Sequence, residues 1–179
     1  MQVIQSIQTE YLSGPAKRLL ETVNDEAGMA SNMMKTMARS PHTLEGYLQL
    51  SRALAGGRLD ATIREQIALA VAQANLCEYS LAQHAALAAR LGLTTEEILA
   101  SREGRSDDEK TNVVLRFARN LVVRRGECST AELRDAGWGD EEIVDIIGQV
   151  ALNVFANYFN LVARTEVDFP RIALKAMVA

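Results

Sequence analysis

The chain has 179 residues, 48% of them hydrophobic and 23% charged, with a net charge of -4. That length can bury a core of ordinary size, and the acidic balance excludes the electrostatic footprint of a nucleic-acid binder, since basic runs such as Arg124-Arg125 are too short for a binding stripe. Two cysteines, Cys77 and Cys128, make neither a disulfide framework nor a zinc site, and a reducing cytoplasm is the expected setting.

Aromatic residues make up only 5% and proline only 3 positions, whereas Ala and Leu abound, a balance that favours helices over strands. Met1 to Leu12 lacks a basic segment followed by an apolar run, so no signal peptide is expected. Residues such as Gln73 and Asn75 interrupt the apolar stretches before any reaches the roughly 18 residues of a membrane span.

In chain order, Ser13-Gly14-Pro15 opens a helix that Gly28 closes, with Pro in the first turn. Ser31 caps a short helix running to Arg39, and Ser40-Pro41 starts another that ends at Gly56-Gly57. Asp60 caps the next, from Ala61 to about Asn75. Capping boxes are expected at Thr94/Glu97, Ser106/Glu109 and Ser129/Glu132, and Gly92 and Gly137 stand where helices end. A long helix runs from about Glu141 to Arg164. No period-2 strand appears, so the fold class is all-α, with eight or nine helices in a single domain over 1–179: N-terminal helices over 1–40 and a core over 41–170.

Two of these helices lack a polar face. Between Ala61 and Leu76 apolar positions run almost all round, the mark of a helix buried in a core or an interface. The last helix has no charge between Asp145 and Arg164, and its polar residues Gln149, Asn153, Asn157, Asn160 and Arg164 fall in one row. Asn is a poor helix former and an unusual choice for a solvated face, so this amide row is expected to be buried or interfacial and to line a polar pocket through Asn153, Asn157 and Asn160. A weak repeat, G-φ-x-x-E-E-I-φ, relates Gly92–Leu99 to Gly137–Val144; it is either a duplication or two similar helix joints, and its second copy carries no site.

The chemistry concentrates in Glu65, Cys77, Ser80 and His84, spaced E-x11-C-x2-S-x3-H, with Tyr79 between them expected to line the pocket. On a helix Cys77, Ser80 and His84 lie above one another on one face. A lone cysteine is commonly a packing residue; one in a helix first turn instead sees the positive end of the dipole, which favours thiolate, although Glu78 opposes it. His84 reads either as a hydrogen-bonded structural imidazole or as a base in reach of Ser80 and Cys77. Glu65, in a buried helix, must be ion-paired, hydrogen-bonded or protonated. One Cys and one His fall short of a metal shell, so no metal and no cofactor are expected. His42 reads as surface, and Cys128 as incidental or as a remote resolving thiol.

With this motif, the segments Arg64–Asn75 and Ala89–Leu93, and the ending Glu166-Val167-Asp168-Phe169-Pro170, the chain resembles the carboxymuconolactone decarboxylase/AhpD-like superfamily from about Ser40 to Pro170. The resemblance implies an AhpD-like helical domain forming homo-oligomers, as dimer, trimer or hexamer. In redox members of E-x11-C-x2-C-x3-H pattern two cysteines reduce hydroperoxides while Glu and His relay protons. Glu65, Cys77 and His84 match those positions, whereas Ser80 stands where the second cysteine, the peroxide-attacking thiol, belongs; Tyr79 replaces a histidine that some members carry. A disulfide cycle within the motif is therefore impossible, because serine forms no bridge.

Three readings follow from the resemblance. The first is a peroxiredoxin-like antioxidant enzyme using Cys77 alone on an organic hydroperoxide, with an external thiol or Cys128 as reductant. The second is a decarboxylase-like acid–base enzyme in which His84 and Glu65 move protons on a small lactone or carboxylic acid. The third is a non-catalytic oligomeric binding protein. No nucleic acid and no membrane enters any of them.

Overall fold

The computed structural model describes residues 2–7 and 12–174; the opening stretch Met1 to Leu12 lies partly outside these. Among the described residues there are nine helices and no strand: α1 Gly14–Ala27, α2 Asn32–Met37, α3 Pro41–Ala55, α4 Ala61–Ala74, α5 Glu78–Arg90, α6 Thr95–Arg102, α7 Glu109–Val123, α8 Ala131–Asp135 and α9 Asp140–Ala163. The all-α expectation holds.

Sequence punctuation accounts for most of the boundaries. Gly28 closes α1 in the left-handed region at φ 80°, and its N–H bonds the Asn24 carbonyl. The Ser31 and Ser40 hydroxyls accept the Met34 and Thr43 N–H groups that open α2 and α3. At α6 the whole capping box forms, with Thr94 and Glu97 each accepting the other's backbone N–H. The other two expected boxes do not form. Asp108 caps α7 by accepting the Thr111 N–H at 2.7 Å, because the carboxylate stands two residues nearer the helix than Ser106. Ser106 instead turns the preceding loop by accepting the Asp108 N–H. At α8, Ser129 accepts the Ala131 N–H while Glu132 reaches out to Arg116 at 2.7 Å, so neither is available for a box.

The middle of the fold is α4, against which α5, α6, α7 and α9 all pack. Its residues from Gln66 to Gln73 are buried in an unbroken run, which explains its all-round apolar sequence. Gln73 is satisfied there by buried Arg102 of α6, whose guanidinium donates to the Gln73 side-chain oxygen at 2.9 and 3.2 Å. By length and composition α9 could cross a membrane, contrary to the sequence expectation that no apolar stretch was long enough. The long uncharged run arises because half of its most apolar stretch is buried within the fold, where Gln149, Asn153, Asn157 and Asn160 form the inner face. The amide row is thus buried, apart from exposed Arg164, which ends the helix at φ 50°.

Candidate active site

The α4–α5 joint sets up the site. Ala72 and Gln73 offer their carbonyls to the N–H groups of Cys77 (2.9 Å) and Leu76 (3.1 Å), the paired bonds of a Schellman ending. Glycine normally fills the left-handed position in this ending, yet here Leu76 holds it at φ 54° with its side chain exposed. A non-glycine residue held there costs about 1–2 kcal/mol, so the turn carries strain where it meets the cysteine. One residue on, Cys77 returns to extended backbone as the N-cap of α5. Its thiol therefore sits at the positive end of that helix, almost wholly buried at 1% exposure.

Within this turn the Cys77 thiol donates to the Ser80 hydroxyl at 3.3 Å. Asn160, reaching in from α9, donates its Nδ2 to the same hydroxyl at 3.3 Å and to Met33 Sδ at 3.2 Å. Asn157 accepts from Asn75 at 3.0 Å and fixes the end of α4. The Asn157 Nδ2 and Asn160 Oδ1 atoms are buried with no protein partner among the described residues, so polar capacity remains at the α4–α5 joint. Farther along the α5 face, His84 Nδ1 lies 2.8 Å from Glu65 Oε2 of α4, both side chains being largely covered.

The structure thus brings Cys77, Ser80 and Asn160 into direct contact and joins His84 to Glu65, while Asn157 holds the joint. The side chains of two expected pocket residues bond elsewhere. Tyr79 points toward the N-terminal layer, its hydroxyl accepting the Met33 N–H at 3.1 Å and its ring meeting Phe169 edge-on at 5.9 Å. Asn153 donates to the Gln149 carbonyl of its own helix at 2.8 Å. Sequence reasoning missed Met33 and Tyr47, for which no motif gives a signal. Tyr47 on α3 packs against Phe155 of α9 at 6.2 Å between ring centres, and its phenol is pushed up to about 12 by burial and by the charge of Glu65.

Burial pushes the Cys77 thiol up, and Glu78 adds to this; the Ser80 hydroxyl and the N–H groups of Ser80 and Tyr79 pull the other way without cancelling it. Because the folded thiol titrates above the unfolded one, its contribution to stability is present below the ordinary thiol pKa and fades as pH rises through the folded value. The expected consequence is selective labelling. At pH 7 iodoacetamide should modify the half-buried Cys128 at least about tenfold faster than buried Cys77, and the Cys77 rate should rise at higher pH than that of an exposed thiol, as peptide mapping over a pH series would show.

Residues 41–121 match the model of the Carboxymuconolactone decarboxylase family, a segment that contains Glu65, Cys77, Ser80 and His84. Over these residues the chain is similar to that family. The whole fold is shared more widely still. The alkylhydroperoxidase AhpD core of a peroxidase-related protein from Ralstonia eutropha JMP134 superposes with a TM-score of 0.83 at 22% identity, covering 93% of this chain and 92% of the other. The debrominase Bmp8 gives 0.79 at 17% identity, with 93% and 92% covered. A cysteine-to-alanine variant of that debrominase, in complex with 2,3,4-tribromopyrrole, gives 0.80 at 16% identity, with 94% and 92% covered. At these identities the likeness is one of fold. No curated protein matches the chain significantly. Within the carboxymuconolactone decarboxylase segment, α4 and α5 supply the motif, while Asn157 and Asn160 are brought to it by α9, outside the matched residues.

Proposed function

We propose that this chain reduces organic hydroperoxides through a single sulfur, that of Cys77. The observation that carries the reading is the placement of that thiol at the head of α5, bonded to Ser80 at 3.3 Å, with a His84–Glu65 pair at 2.8 Å on the same helix face. Since burial keeps the resting thiol protonated, a base must act, and His84 held by Glu65 is the base available. The proton leaves Cys77 for His84 by way of the Ser80 side of the helix. The thiolate then attacks the terminal peroxide oxygen and the O–O bond breaks. Sulfur is oxidised to sulfenic acid, and the alkoxide leaves with the proton held on His84. Ser80 and Asn160 hydrogen-bond the sulfur and the oxygen that it gains.

Return to the thiol needs a second sulfur. Cys77 and Cys128 pack in separate apolar clusters, so the reductant in this scheme is an external low-molecular-weight or protein thiol. One equivalent condenses with the sulfenic acid, releasing water and leaving a mixed disulfide; a second displaces Cys77 and departs as its own disulfide. The test is intact mass in a Cys128→Ser background, after one equivalent of cumene hydroperoxide with a 1,3-dione trap. A single adduct on Cys77, formed much faster than on free cysteine, is the expected result. Absence of any acceleration would overturn the peroxidase reading.

A second reading rests on the protonated state of the thiol, which leaves the His84–Glu65 pair as the only preformed acid–base element of the motif. In that reading the pair moves protons on a small lactone or carboxylic acid, as in the decarboxylase branch. Turnover with a bell-shaped pH–rate profile that survives Cys77→Ser would establish it and displace the first.

A further inference from the structure

Where α9 ends, a polar cavity of about 470 Å³ opens, large enough for a small molecule. Val167 is its one apolar lining residue among those described. Segments far apart in sequence build it. The Val3 and Ile4 N–H groups donate to the Ala163 carbonyl at 2.9 and 3.2 Å, which lays the opening segment across the last turn of α9. From the other side Arg171 reaches Glu78, the residue after Cys77, at 3.5 Å. One wall of the cavity therefore stands a single residue from the cysteine. The other, at Arg164, lies one helical turn from Asn160, whose amide bonds Ser80.

The charges in these walls are two of each sign. Arg171 and Glu78 pair across 3.5 Å with both side chains well exposed, an arrangement weak enough to yield to a ligand. Arg164 and Glu166 have no ion-pair partner among the described residues. Arg164 also occupies the left-handed region, at φ 50° and ψ 51°. Ending the helix does not call for arginine there, since glycine fits that angle without strain. Next to it Thr165 is only 7% exposed, and its hydroxyl has no protein partner among the described residues, so a donor stands unused in the cavity wall.

Two arginines, two glutamates and a spare hydroxyl suit a zwitterion. Its carboxylate goes to the Arg164 guanidinium and the hydroxyl, its ammonium to Glu166. An organic hydroperoxide gains little from such walls, whereas the thiol that resolves the oxidised sulfur must also approach this turn. We propose that the cavity docks that reductant, and that the reductant is a zwitterionic thiol of amino-acid type. The assignment rests on the reading of Cys77 as the reacting sulfur. The docked thiol attacks the sulfenic sulfur, the S–O bond breaks, water leaves with the thiol proton, and a mixed disulfide forms.

Symmetrical disulfides test the site without peroxide. The Cys77 thiolate attacks one sulfur, the S–S bond breaks, a thiolate leaves, and the same mixed disulfide results. In a Cys128→Ser background the probes are cystine (zwitterionic), 3,3′-dithiodipropionate (anionic), cystamine (cationic) and bis(2-hydroxyethyl) disulfide (uncharged). Intact mass follows Cys77 at about pH 8, where thiols begin to ionise, and each rate is divided by that of N-acetylcysteine amide with the same probe. Cystine should then lead the uncharged probe by about tenfold or more and saturate with concentration. A chain of net charge -4 without the site would favour cystamine. Arg164→Gly should cut the cystine lead to about twofold or less without lowering the thermal midpoint, because glycine suits the backbone angle. Glu166→Gln should move the preference from cystine toward dithiodipropionate. Equal normalised rates, a lead for cystamine, a preference that survives Arg164→Gly, or a Cys77 that exchanges with none of the probes would each overturn the assignment. The peroxidase reading fails separately: selective exchange with cystine, alongside no accelerated reaction with cumene hydroperoxide, supports the thiol site and removes only the peroxide.

Discussion

Ser80→Cys should turn the one-sulfur site into a dithiol that closes to a disulfide. The Cys77 sulfur already lies 3.3 Å from the Ser80 hydroxyl, and both belong to the first turn of α5. A disulfide needs about 2.05 Å between sulfurs, so a side-chain rotation and a longer C–S bond cover the difference without moving the backbone. Asn160, which donates to the Ser80 hydroxyl at 3.3 Å, is positioned to donate to the new thiol in the same way. The new thiol also sits at a helix N-terminus, where the dipole favours thiolate. In the variant the added thiolate attacks the peroxide and becomes the sulfenic acid; Cys77 condenses with it, water leaves, and a later dithiol reductant reopens the bridge. Hydroperoxide consumption should rise at least about tenfold over wild type when a dithiol reductant is supplied, because an adjacent resolving thiol replaces a bimolecular step. Intact mass after one equivalent of peroxide should show the loss of two hydrogens and no trap adduct. A variant that keeps both thiols reduced under those conditions would mean that the geometry at the head of α5 does not bring these side chains together.

Helix content and most helix starts were legible in the sequence because caps are local. Ser31, Ser40, Thr94 and Gly28 need only their own neighbours to act, and each acts as its sequence suggests. Ser106 and Ser129 fail for an equally local reason: Asp108 is a better-placed cap in one case, and in the other Glu132 finds an arginine in space that the pattern does not show. The helix face carrying Cys77, Ser80 and His84 was readable from spacing, as was a buried α4. What spacing could not give is anything that crosses between helices. The choice among ion pairing, hydrogen bonding and protonation for Glu65 was left open by sequence; in the fold its carboxylate meets His84 rather than an arginine. The row of amides on α9 looked uniform, yet only Asn157 and Asn160 reach the α4–α5 joint, whereas Asn153 satisfies itself on its own helix. Tyr47 and Met33 enter from segments with no motif at all, and the strain at Leu76 is visible only as a backbone angle.

Glu65→Gln should abolish most of the activity with little loss of fold, whichever substrate the site accepts. In the wild type the Glu65 oxygen accepts from His84 Nδ1 at 2.8 Å. That bond places the imidazole proton on Nδ1 and leaves Nε2 unprotonated as the base. An amide keeps the shape but offers an N–H as readily as a carbonyl. With its N–H turned toward His84 it favours the opposite tautomer, with the proton on Nε2, and it supplies no negative charge to stabilise the imidazolium that forms when the base has done its task. The same substitution in other His–carboxylate pairs acts through the wrong tautomer and is worth several powers of ten; here, with the pair partly open to solvent, the expected fall in kcat/KM is about 10²–10⁴-fold. The thermal midpoint should move by only a few degrees, because the exchange preserves volume and one hydrogen bond. Nitrogen-15 chemical shifts of the His84 ring separate this cause from simple loosening: a switched tautomer exchanges the protonated and bare nitrogens, whereas a loosened ring averages them. Wild-type rates in the variant would remove His84 and Glu65 from the chemistry and leave Cys77, with Ser80 and Asn160, as the whole of the reacting site.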